Sequence, residues 1–293
     1  MKEITILSGK GGTGKTSITA AIASLRPGAV ICDCDVDAAD LHLVLHPSVE
    51  ESHVFEGSWV ASIDPEQCTG CGICQEYCRF DAISSNGAGK MAINPFRCEG
   101  CRLCERICPS GAITSRRSTN NTWQVSTTRF GPMVHASMAP GEENSGKLVT
   151  VVRRKARELA EAAQTRYIIN DGPPGIGCPV IASLTGADAV LLVIEPTISG
   201  LHDARRVVEL AGNFHLPVFA LVNKHDINPE VTGQILEFLE EKNIPLLGMI
   251  PYDETFVDAL IHCRTVVEHD PGSELSLNIR SAWQKMEGML DGS

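Results

Sequence analysis

The sequence predicts an α/β chain with a doubly wound, mostly parallel sheet, into which a small α+β cysteine-rich module is inserted. Three observations carry this. A glycine-rich run, Gly9 to Thr16, joins a short apolar segment (Ile4, Ile6, Leu7) to one with helical spacing (Ile18, Ala21, Ile22, Leu25). Further apolar runs of strand length, at 29–32, 167–170, 189–194, 218–222 and 246–250, are separated by helical patterns, which is how βαβ units and parallel sheets read. Eight of the 12 cysteines fall between Cys68 and Cys108, in a stretch whose composition differs from the chain on either side.

A length of 293 residues suits one or two domains, and 43% hydrophobic residues suffice for a packed core. The longest apolar run, Ala189 to Ile194, is too short to span a bilayer, so no stable membrane insertion is expected. The N-terminus enters a strand at once without a signal-peptide pattern, and a cytoplasmic location is expected. A net charge of −11 argues against nucleic acid as a partner, because phosphate backbones demand basic surface.

The first element fits the phosphate-loop pattern G-x-x-x-x-G-K-[ST], in the strand–loop–helix setting that the pattern requires. Backbone N–H groups of Gly11, Gly12, Thr13 and Gly14 are expected to close around phosphate oxygens, helped by the helix N-terminus. Lys15 is expected to reach the β- and γ-phosphates, and the Thr16 hydroxyl to ligate Mg²⁺. A second lysine, Lys10, gives Lys-Gly-Gly-Thr-Gly-Lys-Thr, which resembles the deviant Walker A motif of the MinD, ParA and nitrogenase iron protein superfamily. The resemblance implies an ATPase that pairs face to face around ATP, as a homodimer or with a related ATPase, Lys10 reaching the partner's nucleotide.

The second strand ends in Asp33-Cys34-Asp35-Val36-Asp37, placing carboxylates where open α/β sheets bind ligands. By the same resemblance this is switch I, with Asp35 positioning the attacking water. Asp37 is a lesser candidate, and Asp33 and Asp40 are expected to be structural. Cys32 and Cys34 are expected to be buried small residues that do not face a common metal.

Cys68-x₂-Cys71-x₂-Cys74-x₃-Cys78 and Cys98-x₂-Cys101-x₂-Cys104-x₃-Cys108-Pro109 are one pattern repeated. They resemble the bacterial two-cluster ferredoxin run, which implies two [4Fe–4S] clusters in an inserted ferredoxin-like domain. The first would be held by Cys68, Cys71, Cys74 and Cys108, the second by Cys98, Cys101, Cys104 and Cys78. A strand is expected after each run, at Ile83 and Ile113; Arg79 stands where ferredoxins usually carry proline. The domain is expected over 61–115, with the ATPase domain discontinuous over 1–60 and 116–293, because the nucleotide motifs flank the cysteines.

Trp123 to Val134 is expected to form a hairpin covering the sheet, and Pro140 to Asn144 a loop. A helix follows from Ser145 to about Ala163, on which Arg153, Arg154, Lys155 and Arg157 read as a solvated basic face. The strand at Tyr167 runs into Asp171-Gly172-Pro173-Pro174-Gly175, which resembles the superfamily's Walker B and switch II segment; Asp171 would hold a Mg²⁺-bound water. Cys178 lies at the offset of a cluster ligand in the nitrogenase iron protein, but no cysteine between Cys108 and Cys178 supplies the second ligand per subunit, and Cys178 is expected to be a buried small residue. Asn223-Lys224-His225-Asp226 ends a strand as a base-reading pattern, with Asn223 the base contact, and Pro251-Tyr252-Asp253 matches the loop along the adenine. The C-terminal helix carries too little positive charge for a lipid surface and is expected to pack on the core.

Together these readings describe an ATP-binding and hydrolysing iron–sulfur protein whose nucleotide state gates low-potential electron transfer to a partner. An ATP-dependent cluster or metallocofactor assembly protein is the alternative, and a MinD-like spatial positioning ATPase the weaker one.

Overall fold

A computed structural model describes residues 1–139, 142 and 145–292; of the expected loop from Pro140 to Asn144, all but Glu142 lies outside the described residues. The chain divides into two compact units: Met1–Ser52 with Trp123–Ala136 and Ser145–Ser293, and His53–Thr122 with Ser137–Asn144.

The elements run β1 (Lys2–Ser8), α1 (Lys15–Leu25), β2 (Val30–Asp33), α2 (Leu41–Leu45) and β3 (Ser48–Phe55). The cysteine-rich stretch follows with β4 (Trp59–Ile63), α3 (Ile73–Glu76), β5 (Ile83–Ser85), β6 (Met91–Ile93), α4 (Leu103–Ile107) and β7 (Ile113–Arg117). Next come β8 (Asn121–Thr127), β9 (Pro132–Ser137), α5 (Ser145–Ala162), β10 (Tyr167–Pro174), α6 (Cys178–Leu184), β11 (Ala189–Ile194) and α7 (Ile198–Asn213). The chain ends with β12 (Val218–Asn223), α8 (Pro229–Glu241), β13 (Leu246–Ile250), α9 (Thr255–Ile261), α10 (Val266–His269) and α11 (Glu274–Asp291).

The larger unit is organised on a nine-stranded sheet in the order β13-β12-β11-β1-β10-β2-β9-β8-β3. Its centre is parallel throughout, β1 pairing with both β10 and β11. Strands β1, β2, β10 and β11 are buried nearly end to end, as parallel strands covered on both faces must be. One apolar layer joins α1 and α11 to the sheet through Ile18, Ile22, Ile279, Trp283 and Met286. The opposite layer joins α7 and α8 through Leu201, Val207, Ile235 and Phe238. The C-terminal helix therefore packs on the core. No helix among the described residues is long and apolar enough to cross a membrane.

Two expectations are corrected. The hairpin β8–β9 does not cover the sheet but extends it, β9 pairing parallel with β2 through Met133 and Val134. Its Val125, Met133, Val134 and Ala136 are buried as sheet members, a placement that alternation alone does not distinguish from a covering layer. The basic face of α5 is not solvated throughout. Arg153 is buried and pairs with Glu3 of β1, which also pairs with Arg157; Asn170 adds an N–H to the same carboxylate. A buried carboxylate needs such partners, and Glu3 is the buried charge of β1.

The smaller unit contains two antiparallel pairs, β4–β7 and β5–β6. Ile83 and Ile113 start β5 and β7, the strands expected after each cysteine run. Its apolar core gathers Ala61, Ile83, Met91, Ala112 and Ile113 with Cys68 and Cys74, against which Cys78, Cys98, Cys104 and Cys108 pack.

Candidate functional site

The glycine-rich loop connects β1 to α1 at the C-terminal edge of the sheet, where open α/β sheets receive ligands. Gly14 precedes α1 at φ 86°, a left-handed conformation that costs other residues strain, and a Cβ there would lie 2.5 Å from Asn223 Nδ2. Gly11 and Gly12 have open space where a Cβ would sit, leaving their backbone accessible to a ligand. Behind the loop, Asn223 Nδ2 donates to the Thr13 carbonyl (2.8 Å) and Lys224 Nζ to the Gly12 carbonyl (3.0 Å). The buried Thr13 Oγ1 and Asn223 Oδ1 have no hydrogen-bond partner, two polar atoms in want of a ligand group.

Charges are concentrated under the loop. Lys15 Nζ donates to Asp171 Oδ1 (2.9 Å) and lies 3.5 Å from Asp35 Oδ2. Asp171, on β10, also accepts from Thr16 Oγ1 (2.7 Å) and has Thr19 Oγ1 at 2.8 Å. Burial alone would lower the Lys15 pKa, but Asp171, Asp35 and Asp33 outweigh it and hold it above the ordinary value. Burial pushes the Asp35 carboxyl up to about 6 against the opposing pull of Lys15, with the Asp171 charge adding to the rise. Asp33 is raised well above the carboxylate range by burial and by Asp171. It accepts from the backbone N–H groups of Asp35 (3.1 Å) and Leu41 (3.3 Å), which fits the structural role expected for it. The structure thus brings Lys15, Thr16, Asp35 and Asp171 into one cluster around the loop.

Sequence reasoning missed Glu195, at the end of β11. Its carboxylate pairs with Lys10 (2.8 Å) on one oxygen and Lys224 (2.9 Å) on the other. A lone acid directly after a six-residue buried strand at the sheet's C-terminal edge was the available signal. Beyond β13, Asp226 accepts from the Tyr252 N–H (2.6 Å), and Asp253 caps the next turn through the Thr255 N–H (2.8 Å). Pro251, Tyr252 and Asp253 therefore form an ordered loop beside the end of β12.

Cys32 and Cys34 are fully buried with their Sγ atoms 3.6 Å apart. Their burial is as expected, but the ground for excluding a common metal is corrected: residues i and i+2 of extended chain share a face, and the two thiols meet. The expected burial of Cys178 is corrected: it is exposed, because it opens the first turn of α6, and it packs near Gly146.

In the smaller unit, all eight clustered thiols are free. One cavity is lined by Cys68, Cys71, Cys74 and Cys108, with Ile63, Met91 and Ile113. A second is lined by Cys78, Cys98, Cys101 and Cys104, with Cys74 on the shared wall and Ile83, Ile93 and Leu103 around it. Gly100, at φ 64°, sits so close to the Trp59 carbonyl that no side chain fits, and the chain turns there between Cys98 and Cys101. Among the described residues no three His, Cys, Asp or Glu side chains converge on a single ion. The thiols instead line two separate cavities.

The model of the CobQ/CobB/MinD/ParA nucleotide binding domain matches residues 4–266. The chain is 31% identical to the uncharacterised protein MJ0578 of Methanocaldococcus jannaschii, over 98% of this chain and 97% of that one. It is 26% identical to the septum site-determining protein MinD of Bacillus subtilis, over 56% of this chain and 62% of that one. Among solved structures, the cell division ATPase MinD of Pyrococcus furiosus superposes with a TM-score of 0.58 at 20% identity, covering 98% of this chain and 99% of that one. MinD of Aquifex aeolicus, solved as a MinC:MinD complex, gives 0.57 at 18% identity, covering 98% and 96%.

Proposed function

The chain belongs to the CobQ/CobB/MinD/ParA nucleotide-binding family and is a P-loop ATPase, and from that premise we propose that its nucleotide state gates electron transfer through two [4Fe–4S] clusters to a protein partner. The observation that carries this reading is the sorting of the eight thiols. Two cavities of the smaller unit each include the four cysteines that the two-cluster pattern assigns to one cluster, with Cys74 on the wall of both.

At the nucleotide site, the backbone of Gly11 to Gly14 and Lys15 would bind the phosphates of ATP, with Thr16 and Asp171 holding Mg²⁺. The metal would neutralise developing charge on the phosphates. Asp35 orients and deprotonates the attacking water, a role its half-ionised state near pH 6 suits. Asn223 Oδ1, the buried acceptor without a partner, would take the exocyclic amine of adenine, and the loop at Pro251 and Asp253 would flank the base. Lys10 would reach the nucleotide of a second copy or a related ATPase, so that hydrolysis and pairing are linked. Cys68, Cys71, Cys74 and Cys108 would hold one cluster, and Cys98, Cys101, Cys104 and Cys78 the other, in a domain over 61–115. The clusters would supply one-electron redox centres of low potential.

Chain order supports coupling. The cysteine unit is inserted between the Asp35 segment and the Asp171 segment, and the chain returns from it into α5, whose Ser145 side chain hydrogen-bonds Asp37. The relatives' names favour a second reading, a positioning ATPase of the MinD kind whose partner is a protein such as the MinC of the Aquifex complex. Metal analysis separates the two. Anaerobically purified chain is expected to hold about eight irons and as many acid-labile sulfides. Fewer than about one per chain, with ATPase activity intact, would overturn the iron–sulfur reading and leave the positioning one.

A further inference from the structure

We propose that Glu195 is a positioning residue that holds Lys10 on its own protomer, and so sets the threshold at which two copies pair on nucleotide; this rests on the reading of Lys10 given above. Three lysines, Lys10, Lys15 and Lys224, surround one phosphate loop, and they are not equivalent. Lys15 is buried against Asp171 and Asp35. Lys224 has both Glu195 and the Gly12 carbonyl. Lys10 pairs with Glu195 alone among the described residues, and its side chain is 30% exposed. It is the cation that can leave.

The two ends of that ion pair differ in freedom. Glu195 directly follows β11, and its carbonyl accepts the Thr197 N–H (2.8 Å) as the chain turns into α7, so the carboxylate is a fixed anchor. Lys10 precedes Gly11 and Gly12, which nothing crowds. Its carbonyl accepts from Ser8 Oγ (2.8 Å), and the Ser8 carbonyl accepts from the Gly175 N–H (3.1 Å). Gly175 belongs to the segment after Asp171 and has φ 85°. A shift of that segment is thus passed by two hydrogen bonds to the backbone of Lys10, while Glu195 opposes departure of its side chain. One carboxylate serving two lysines holds each less firmly than it would hold one, which suits a contact that must break. The expected restraint is that of a partly exposed ion pair, on the order of three- to fivefold in the pairing equilibrium.

Sedimentation velocity of the full chain, with Mg²⁺ and a non-hydrolysable ATP analogue, reads this directly. Glu195→Gln is expected to pair with a Kd three- to fivefold lower than wild type. Glu195→Asp, which keeps the charge but loses reach, falls between them and carries the test if the amide variant does not fold. Lys10→Ala is expected not to pair. A structural role for Glu195 moves the result the other way, because losing a brace loosens the site. Pairing by the Glu195 variants that is no tighter than wild type, with Lys10→Ala unable to pair, overturns the latch. Pairing by Lys10→Ala equal to wild type overturns instead the role assigned to Lys10.

Discussion

Replacing Asp171 by asparagine removes the anion at the centre of the buried charge cluster under the glycine-rich loop. Asp171 is 1% exposed, and its oxygens lie within 2.9 Å of Lys15 Nζ, Thr16 Oγ1 and Thr19 Oγ1. An amide of the same shape keeps one acceptor, so part of this network survives. The buried ammonium of Lys15 loses its closest counter-charge, and breaking a buried pair by removing one partner costs about 3–5 kcal/mol. Asp35, at 3.5 Å, remains, and Asp33 is freed of the Asp171 charge that raises its pKa. Those substitutes place the expected loss at the lower end, about 3 kcal/mol. Urea unfolding of the nucleotide-free chain at pH 7.5 measures it. Lys15→Met provides the contrast in sign. Without the ammonium, Asp33 and Asp35 lose the cation that lowers their pKa values, and the folded state binds protons at a pH where the unfolded chain does not. Its stability is therefore expected to rise as pH falls from 8 towards 6. A loss below about 1 kcal/mol in Asp171→Asn, with a pH-independent Lys15→Met, would refute the claim that this charge cluster is energetically coupled.

Three further outcomes are expected. Gly14→Ala forces a left-handed alanine, about 1–2 kcal/mol, and drives a Cβ into Asn223 Nδ2, which sacrifices its bond to Thr13 at about 0.5–1.5 kcal/mol; urea unfolding of the nucleotide-free chain should show a loss of about 1.5–3.5 kcal/mol. Because burial raises Asp35 to about 6, kcat/KM for ATP hydrolysis should fall on an acid limb near pH 6, tenfold per pH unit below it, and Asp35→Asn should abolish that limb along with most of the activity. His135 is pushed down to about 4 by burial and by His42, and Ser126 Oγ lies 2.8 Å from its Nε2. The unfolded chain therefore binds a proton there that the folded chain refuses between about pH 6.5 and 4, so stability is lost on acidification through that window. His135→Gln, which can keep the bond to Ser126, should lose less stability than wild type over the same window, as measured by thermal unfolding at a series of pH values.

The parts of the site legible in the sequence are those whose chemistry dictates local spacing. The phosphate loop binds through its own backbone, so Gly9 to Thr16 had to be contiguous. Asp33 ends β2 opposite Asp171 within β10, and Asp35 follows two residues later, so parallel pairing of the two strands brings the carboxylates together. The repeat divides the eight thiols between two runs, and the structure places thiols of both runs around two cavities. What the sequence concealed depends on tertiary pairing between distant residues. Glu195 meets Lys10 and Lys224 across three elements, and no local pattern announces a carboxylate shared between them. Arg153 and Arg157 read as a solvated stripe because their partner, Glu3, sits 150 and 154 residues away on the first strand. The β8–β9 hairpin shows a strand period, but whether a hairpin covers a sheet or extends it is decided by which edge is free. The direction of Cys32 and Cys34 followed from strand period alone and was within reach of the sequence.

Linkage between nucleotide and clusters is the central claim, and an anaerobic redox titration followed by electron paramagnetic resonance, with and without MgATP, tests it most directly. Site-to-site coupling of about 1–3 kcal/mol corresponds, for a one-electron couple, to roughly 40–130 mV. A shift of that size with MgATP in the wild-type chain, absent in Lys15→Ala, is the expected result. Potentials that MgATP leaves unmoved, in protein that retains its full iron content and hydrolyses ATP, would contradict gating and leave the cysteine unit without a nucleotide-linked role.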